Sequence, residues 1–149
     1  MSIDLINNLK LVGKNIEDIQ VISAYCQDSL VRVKDIVFLK QNKTFVMIIN
    51  RFMWEDFEKG AFRENKRIKC AIKFDAVLKV KSKKINQKNK DILLECLAIK
   101  CRAIANENYE TNIYFAGGSI ITLVLELVEV VMHDLGSSWN VKHFPKHKI

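Results

Sequence analysis

The stretch Ile68-Lys69-Cys70-Ala71-Ile72-Lys73-Phe74-Asp75-Ala76-Val77-Leu78-Lys79-Val80-Lys81 decides the fold class. Ile68, Cys70, Ile72, Phe74, Ala76, Leu78 and Val80 share one parity, and Lys69, Lys73, Lys79, Lys81 and Lys83 share the other. A period of two is that of a strand with one face inward and one in water. A strand of about fifteen residues far exceeds the usual five or six. The reading therefore places a bend or bulge near Asp75-Ala76.

Upstream, Leu30–Leu39 and Thr44–Phe52 are rich in β-branched and aromatic residues and are separated by Lys40-Gln41-Asn42-Lys43, which predicts a hairpin. Phe45-Val46-Met47-Ile48-Ile49 is apolar on both faces, as a central strand would be. Earlier still, Asn15 to Gln27 predicts an amphipathic helix capped by Asn15, with Ile19, Ile22 and Cys26 inward. The charged segment from Glu55 to Lys66, with Gly60, reads as a loop.

Downstream, Ile85 to Lys90 is a polar loop, and Ile92 to Ala103 alternates with Leu93, Leu97, Ile99 and Cys101 expected inward. Asn106-Glu107-Asn108 marks a turn. Gly117-Gly118 sits between Ile113, Phe115 and Ile121, Leu123, Leu125, which predicts a second tight hairpin. Val128 to Leu135 fits either a strand or a short helix ended by Gly136. The sum is an α+β fold of six or seven strands: a mainly antiparallel β roll or half-open barrel with an N-terminal helix and, on the helical reading of 128–135, a short C-terminal one. A barrel of the pleckstrin-homology kind is one arrangement of such elements. A chain of 149 residues is expected to form one domain, 1–149, with 1–12 and 140–149 peripheral.

With 49% hydrophobic and 28% charged residues the composition is globular. The N-terminus has an early acid, Asp4, and no basic segment leading into an apolar run, so no signal peptide is expected. The most apolar run, Ile120 to Val131, is interrupted by Thr122, Glu126 and Glu129 and is too short to span a bilayer. No membrane partner and a cytoplasmic location are expected. Cys26, Cys70, Cys96 and Cys101 show neither C-x-x-C nor zinc spacing, and read as buried thiols of a reducing compartment.

Lysines and arginines exceed acids by seven overall, but twelve basic residues between Lys59 and Lys90 face only Glu64 and Asp75. That segment carries an excess of ten, and the rest of the chain a deficit of three. Lys69, Lys73, Lys79, Lys81 and Lys83 are the candidate anion-binding set. The competing reading is a solvated sheet face, and it is preferred here because no aromatic interleaves with the stripe to stack bases. A second candidate is the strand end at Asn50, Arg51, Trp54 and Glu55, which mixes amide, guanidinium, indole and carboxylate as a binding site does. The alternative for that cluster is a strand end in which Arg51 pairs with Glu55.

Catalytic and metal sets fail on geometry. Glu55 and Asp56 diverge as neighbours on a strand. His143 and His147 flank Pro145, which disfavours the helix that would bring them together. Gly117-Gly118 lacks both phosphate-loop spacings. No metal and no cofactor are expected.

Asn50-Arg51-Phe52-Met53-Trp54-Glu55, Phe74-Asp75-Ala76-Val77-Leu78-Lys79-Val80-Lys81-Ser82, Leu97-Ala98-Ile99, Phe115-Ala116-Gly117-Gly118-Ser119-Ile120 and Asp134-Leu135-Gly136 with Trp139 together resemble an alphaproteobacterial family filed as a domain of unknown function. The resemblance covers nearly the whole chain beyond the first dozen residues. It implies a bacterial protein with no assigned activity, cofactor or catalytic residue. The chain is richer in lysine and asparagine than that family's usual arginine and alanine.

Function is therefore not specified by the sequence, and three readings stand. The leading one is a non-catalytic binding or interaction module for a protein or small ligand. The second is a nucleic-acid- or polyanion-associated protein acting through Lys69–Lys84, and the third an enzyme assembled from distant residues around Arg51, Glu55 and His133. An exposed strand edge offers a route to a homo-oligomer.

Overall fold

The computed structural model describes residues 9–52 and 66–140. The elements in order are β1 (Lys10–Gly13), α1 (Ile16–Cys26), β2 (Leu30–Arg32), β3 (Ile36–Leu39), β4 (Thr44–Phe52), β5 (Lys66–Phe74), β6 (Val77–Lys83), β7 (Leu93–Ala103), β8 (Tyr109–Phe115), β9 (Ile120–Leu125) and β10 (Val130–Asn140).

The helix forms where the sequence capped it. The Asn15 side chain accepts the Asp18 N–H at 2.8 Å, and the Asp18 carboxylate accepts the Lys14 N–H at 2.8 Å. Glu17 and Asp18 place negative charge at the positive end of the helix dipole. Ile19, Ile22 and Cys26 are buried, as their spacing required. The packing of β1 against β10 and the helix needs Gly13, because a Cβ there would meet Val130 Cγ1 of β10 at 2.7 Å and Asp18 Cβ of the helix at 3.1 Å.

Among the described residues nine strands make one antiparallel path, β1-β10-β5-β4-β2-β7-β8-β9-β6, and a tenth, β3, pairs with β4 off that path. β5 and β6 are separated only by Asp75-Ala76, yet they stand third and ninth along that path. So short a link reaches no more than ~10 Å, so the sheet has to curl back on itself. The corner is fixed by main-chain bonds: Asp75 N–H to Glu129 O at 2.9 Å, Glu126 N–H to Ala76 O at 2.9 Å, and Val77 N–H to Lys43 O at 2.8 Å. Ala76 adopts a left-handed φ of 58° there. The result is the half-open barrel, with the expected bend at Asp75-Ala76.

The core fills the inside of the curl. Phe45, Met47 and Ile49 of β4 meet Cys70, Ile72 and Phe74 of β5 and, from the other half, Ile113, Phe115, Ile121 and Leu123. The Phe45 and Phe74 rings lie 6.4 Å apart, tilted by 57°.

Several local expectations need correction. The alternation through 68–80 does not continue past the corner: Val77 is buried and Leu78 exposed, with a register shift between Val77 and Lys79. In β7 a bulge between Cys96 and Ala98 does the same, so Leu94, Cys96 and Ile99 are buried while Leu93 and Leu97 point to solvent. Val128–Leu135 does not form a C-terminal helix, because Val130 onward pairs with β1 and β5 as β10. A single helical turn at Val33–Asp35 splits the Leu30–Leu39 run into β2 and β3, which helps raise the strand count to ten. β4 lies centrally as expected, but only its Phe45, Met47, Ile49 and Arg51 face is fully buried. Gly117 and Gly118 supply φ values of 83° and 85° to the second hairpin, through a slightly wider turn closed by Phe115 N–H to Ser119 O at 2.9 Å. Among the described residues, no helix is long and apolar enough to cross a membrane.

Candidate functional site

The strand end at 50–55 divides between the two faces of β4. Asn50 lies on the outer face, in register with Lys69, and is half-buried. Arg51 points inward and is fully buried, with Nε on Asp134 Oδ1 and one terminal nitrogen on Asp134 Oδ2, both at 2.8 Å. Asp134 also accepts the Leu9 N–H at 2.8 Å, and the Arg51 guanidinium lies 5.7 Å from the Tyr25 ring centre. The partner found for Arg51 is thus Asp134, whose distance along the chain hid it from sequence reasoning. Trp54, Glu55 and Asp56 lie outside the described residues, as do His143 and His147. His133 is exposed beside buried Asp134 on β10, so Arg51 and His133 face opposite sides of the sheet.

Arg67 was not singled out from sequence, and it knits this end together. One terminal nitrogen donates to Asp28 O and to Asn50 O, each at 3.1 Å, and its guanidinium lies 5.9 Å from the Phe52 ring centre. Burial lowers its pKa.

Cys26, Cys70 and Cys96 are buried and Cys101 half-buried, all as free thiols. Burial pushes the Cys96 thiol up to about 12. It raises Cys26 and Cys70 as well, and the proximity of Cys96 and Cys70 adds to the shift of Cys26. Such thiols are poor nucleophiles and poor ligands at neutral pH. Among the described residues, no group of His, Cys, Asp and Glu is arranged to hold a metal ion.

The basic stripe is split by the corner. Lys69 and Lys73 project from β5 on the outer face of the β10–β5–β4 layer, where Lys73 lies 3.8 Å from Asp75. Lys79, Lys81 and Lys83 project from β6 on the outer face of the β6–β9–β8–β7 layer. The five lysines do not share a face.

What the second layer adds to its three lysines is visible only in the register. Lys79, Val124, Glu110 and Arg102 form one row across the four strands. Lys81, Thr122, Asn112 and Lys100 form the next, and Lys83, Ile120, Tyr114 and Ala98 the third. Rows lie two residues apart, roughly 6.6 Å, and neighbouring strands about 4.8 Å apart. These three rows therefore hold five cations and one acid, Glu110, which is held by Arg102 at 2.9 Å. Thr122 Oγ1 donates to Asn112 Oδ1 at 2.6 Å, and Asn112 Nδ2 donates to Glu110 Oε1 at 3.4 Å, so the polar centre is pre-ordered. Lys100 Nζ lies 5.9 Å from the Tyr114 ring centre. Lys81, Lys83, Asn112, Tyr114, Ile120 and Thr122 enclose a surface depression of about 330 Å³.

Sequence reasoning missed Tyr114, Asn112, Thr122, Lys100 and Arg102 as parts of one surface. Within its own strand Tyr114 alternates with buried Ile113 and Phe115 and carries no sign of cationic neighbours. Only strand order brings it into line with Lys83.

A family model for proteins of unknown function, DUF2948, matches residues 9–147. Comparison with curated proteins and with solved structures returns no match.

Proposed function

The chain belongs to the DUF2948 family of proteins of unknown function, and we propose that it is a non-catalytic binding module that holds single-stranded nucleic acid across the outer face of β6, β9, β8 and β7. The observation that carries this reading is Tyr114, an aromatic ring at the side of a depression walled by Lys81 and Lys83. Single-strand binders combine cations that track phosphates with an exposed ring on which a base stacks. Read linearly, the lysine stripe lacked that ring, and the register supplies it. Asn112 and Thr122, in the row next to the ring and lining the same depression, offer hydrogen-bonding groups to a base.

The outer face of β10–β5–β4 is less suited to the task. Lys69 and Lys73 stand among Val46, Ile48, Ala71 and Val131, with Lys73 near Asp75. A cytoplasmic setting belongs to the same reading, supported by four free thiols and by the ligand class itself.

The test is fluorescence anisotropy of a dye-labelled oligothymidylate of about 16 nucleotides, a length within one domain's reach. Binding at low salt that weakens steeply as salt rises is the expected result. Lys79→Glu/Lys81→Glu/Lys83→Glu removes it, while Lys69→Glu/Lys73→Glu leaves most of it. No binding at low salt, or equal losses in the two variants, overturns the reading.

A further inference from the structure

The barrel stays open along one seam. Among the described residues β3 pairs only with β4, and β6 only with β9, so each presents an edge that no other described strand pairs with. The turn after β3 meets the start of β6 where Val77 N–H bonds to Lys43 O, and beyond it the strands leave a cavity of about 280 Å³. We propose that this seam binds a small aliphatic carboxylate, its chain in the cavity and its head on Lys90. The proposal is independent of the nucleic-acid reading, which uses the outer face of the neighbouring layer.

The chain end of the argument is apolar surface. The floor consists of Val33, Phe45 and Ile121, all buried. Ile36 and Phe38 of β3 rise on one side, and Val80 of β6 with Ile85 on the other, each half-buried. No β3–β6 ladder closes over these groups among the described residues, and they gain from any apolar guest that displaces water. Mouths of β-barrels are a usual place for such ligands, and this volume lies just under the common range of 300–1,000 Å³. The guest is accordingly small, on the order of ten heavy atoms.

The head-group end is set by charge. Ser82, Gln87 and Lys90 form the polar part of the lining, which holds one cation and no acid. Gln87 Nε2 donates to Ser82 Oγ at 2.8 Å, and the exposed Lys90 ammonium is the charged group of the lining, the one a carboxylate would pair with. The loop that carries Lys90 is held in place: Lys34 N–H bonds to Lys90 O at 3.0 Å, and Val33 N–H to Ile92 O at 3.0 Å. An apolar body with one carboxylate matches both ends, whereas a neutral alcohol of the same length matches only the cavity.

Octanoate and octan-1-ol, titrated separately into the isotope-labelled full chain and followed by NMR, test the assignment. Saturable shifts of the Ile36, Val80, Ile85 and Ile121 methyl groups are expected, with octanoate at least tenfold tighter than octanol. Lys90→Glu, an exposed change, should erase that preference and leave octanol binding as it was. The proposal fails if those methyls show no saturable shift, if the two ligands bind equally to the wild type, or if the preference survives Lys90→Glu. It fails equally if octanoate shifts centre on Lys81, Lys83 and Tyr114.

Discussion

Arg51 and Asp134 form a two-pronged ion pair with both side chains fully buried, joining β4 to β10 across the intervening β5. A third bond to the same carboxylate, from Leu9 N–H, ties the entry of β1 to the pair. Charges so deep are tolerated only because each is matched, and removing one leaves the other stranded. Asp134→Leu is expected to cost about 3–5 kcal/mol in urea unfolding. The double change Arg51→Met/Asp134→Leu should cost distinctly less, since no orphan charge remains. A double variant as unstable as the single one would show that the pair is worth more than its desolvation.

The buried thiols give stability a pH dependence on the alkaline side. Cys96 titrates at about 12 in the folded chain against an ordinary 9.0, so the unfolded chain releases that proton first. Its contribution is complete below about pH 9 and falls as pH rises toward 12, by at most about 1.4 kcal/mol per unit. Denaturant titrations at pH 8, 9 and 10 should therefore show a shallower decline for Cys96→Ala than for wild type, apart from the constant loss from the cavity. Parallel slopes would remove Cys96 from the account.

Alkylation under native conditions should separate the cysteines. Cys101, half-buried, should react with iodoacetamide well before Cys26, Cys70 and Cys96, which require the core to open. Mass spectrometry of partial digests reads the order directly.

Gly13→Ala should destabilise by about 1–3 kcal/mol, the usual cost of overpacking. The added methyl would press on Val130 Cγ1 at 2.7 Å and Asp18 Cβ at 3.1 Å, between the edge strand and the helix. Thermal unfolding checks it, and an unchanged midpoint would mean that helix and strand separate freely.

On the proposed nucleic-acid face, charge and stacking should come apart. Tyr114→Leu is expected to weaken oligothymidylate binding by about 1–3 kcal/mol while leaving the salt slope unchanged. Lys81→Ala should lower the slope by roughly one phosphate contact. If Tyr114→Leu changes the slope and not the affinity, the ring is not a stacking platform.

Local features of this chain were legible because their causes are local. The Asn15 cap and the Gly117-Gly118 hairpin follow from a few adjacent residues, and each stands where it was expected; the bend at Asp75-Ala76 was legible only because the alternation ran too long for one strand. Parity was legible only as far as the next bulge. Leu78 and Leu97 look inward in the alternation, and each sits just past or within an irregularity that a hydrophobic pattern does not encode. Strand order lay beyond reach, and it determines which distant residues meet. It parts Lys73 from Lys79, joins Arg51 to Asp134, and sets Tyr114 in line with Lys83.

Ala76 shows which level of structure is in command at the corner. A left-handed backbone costs an alanine about 1–2 kcal/mol relative to its preferred states, and glycine would occupy φ 58° without that penalty. The bend therefore does not arise from a local preference of its own residue. It is imposed from outside, by the two layers that meet there and by the bonds to Lys43, Glu126 and Glu129. Causation at this point runs from the whole to the part, and the corner would keep its shape under most small replacements.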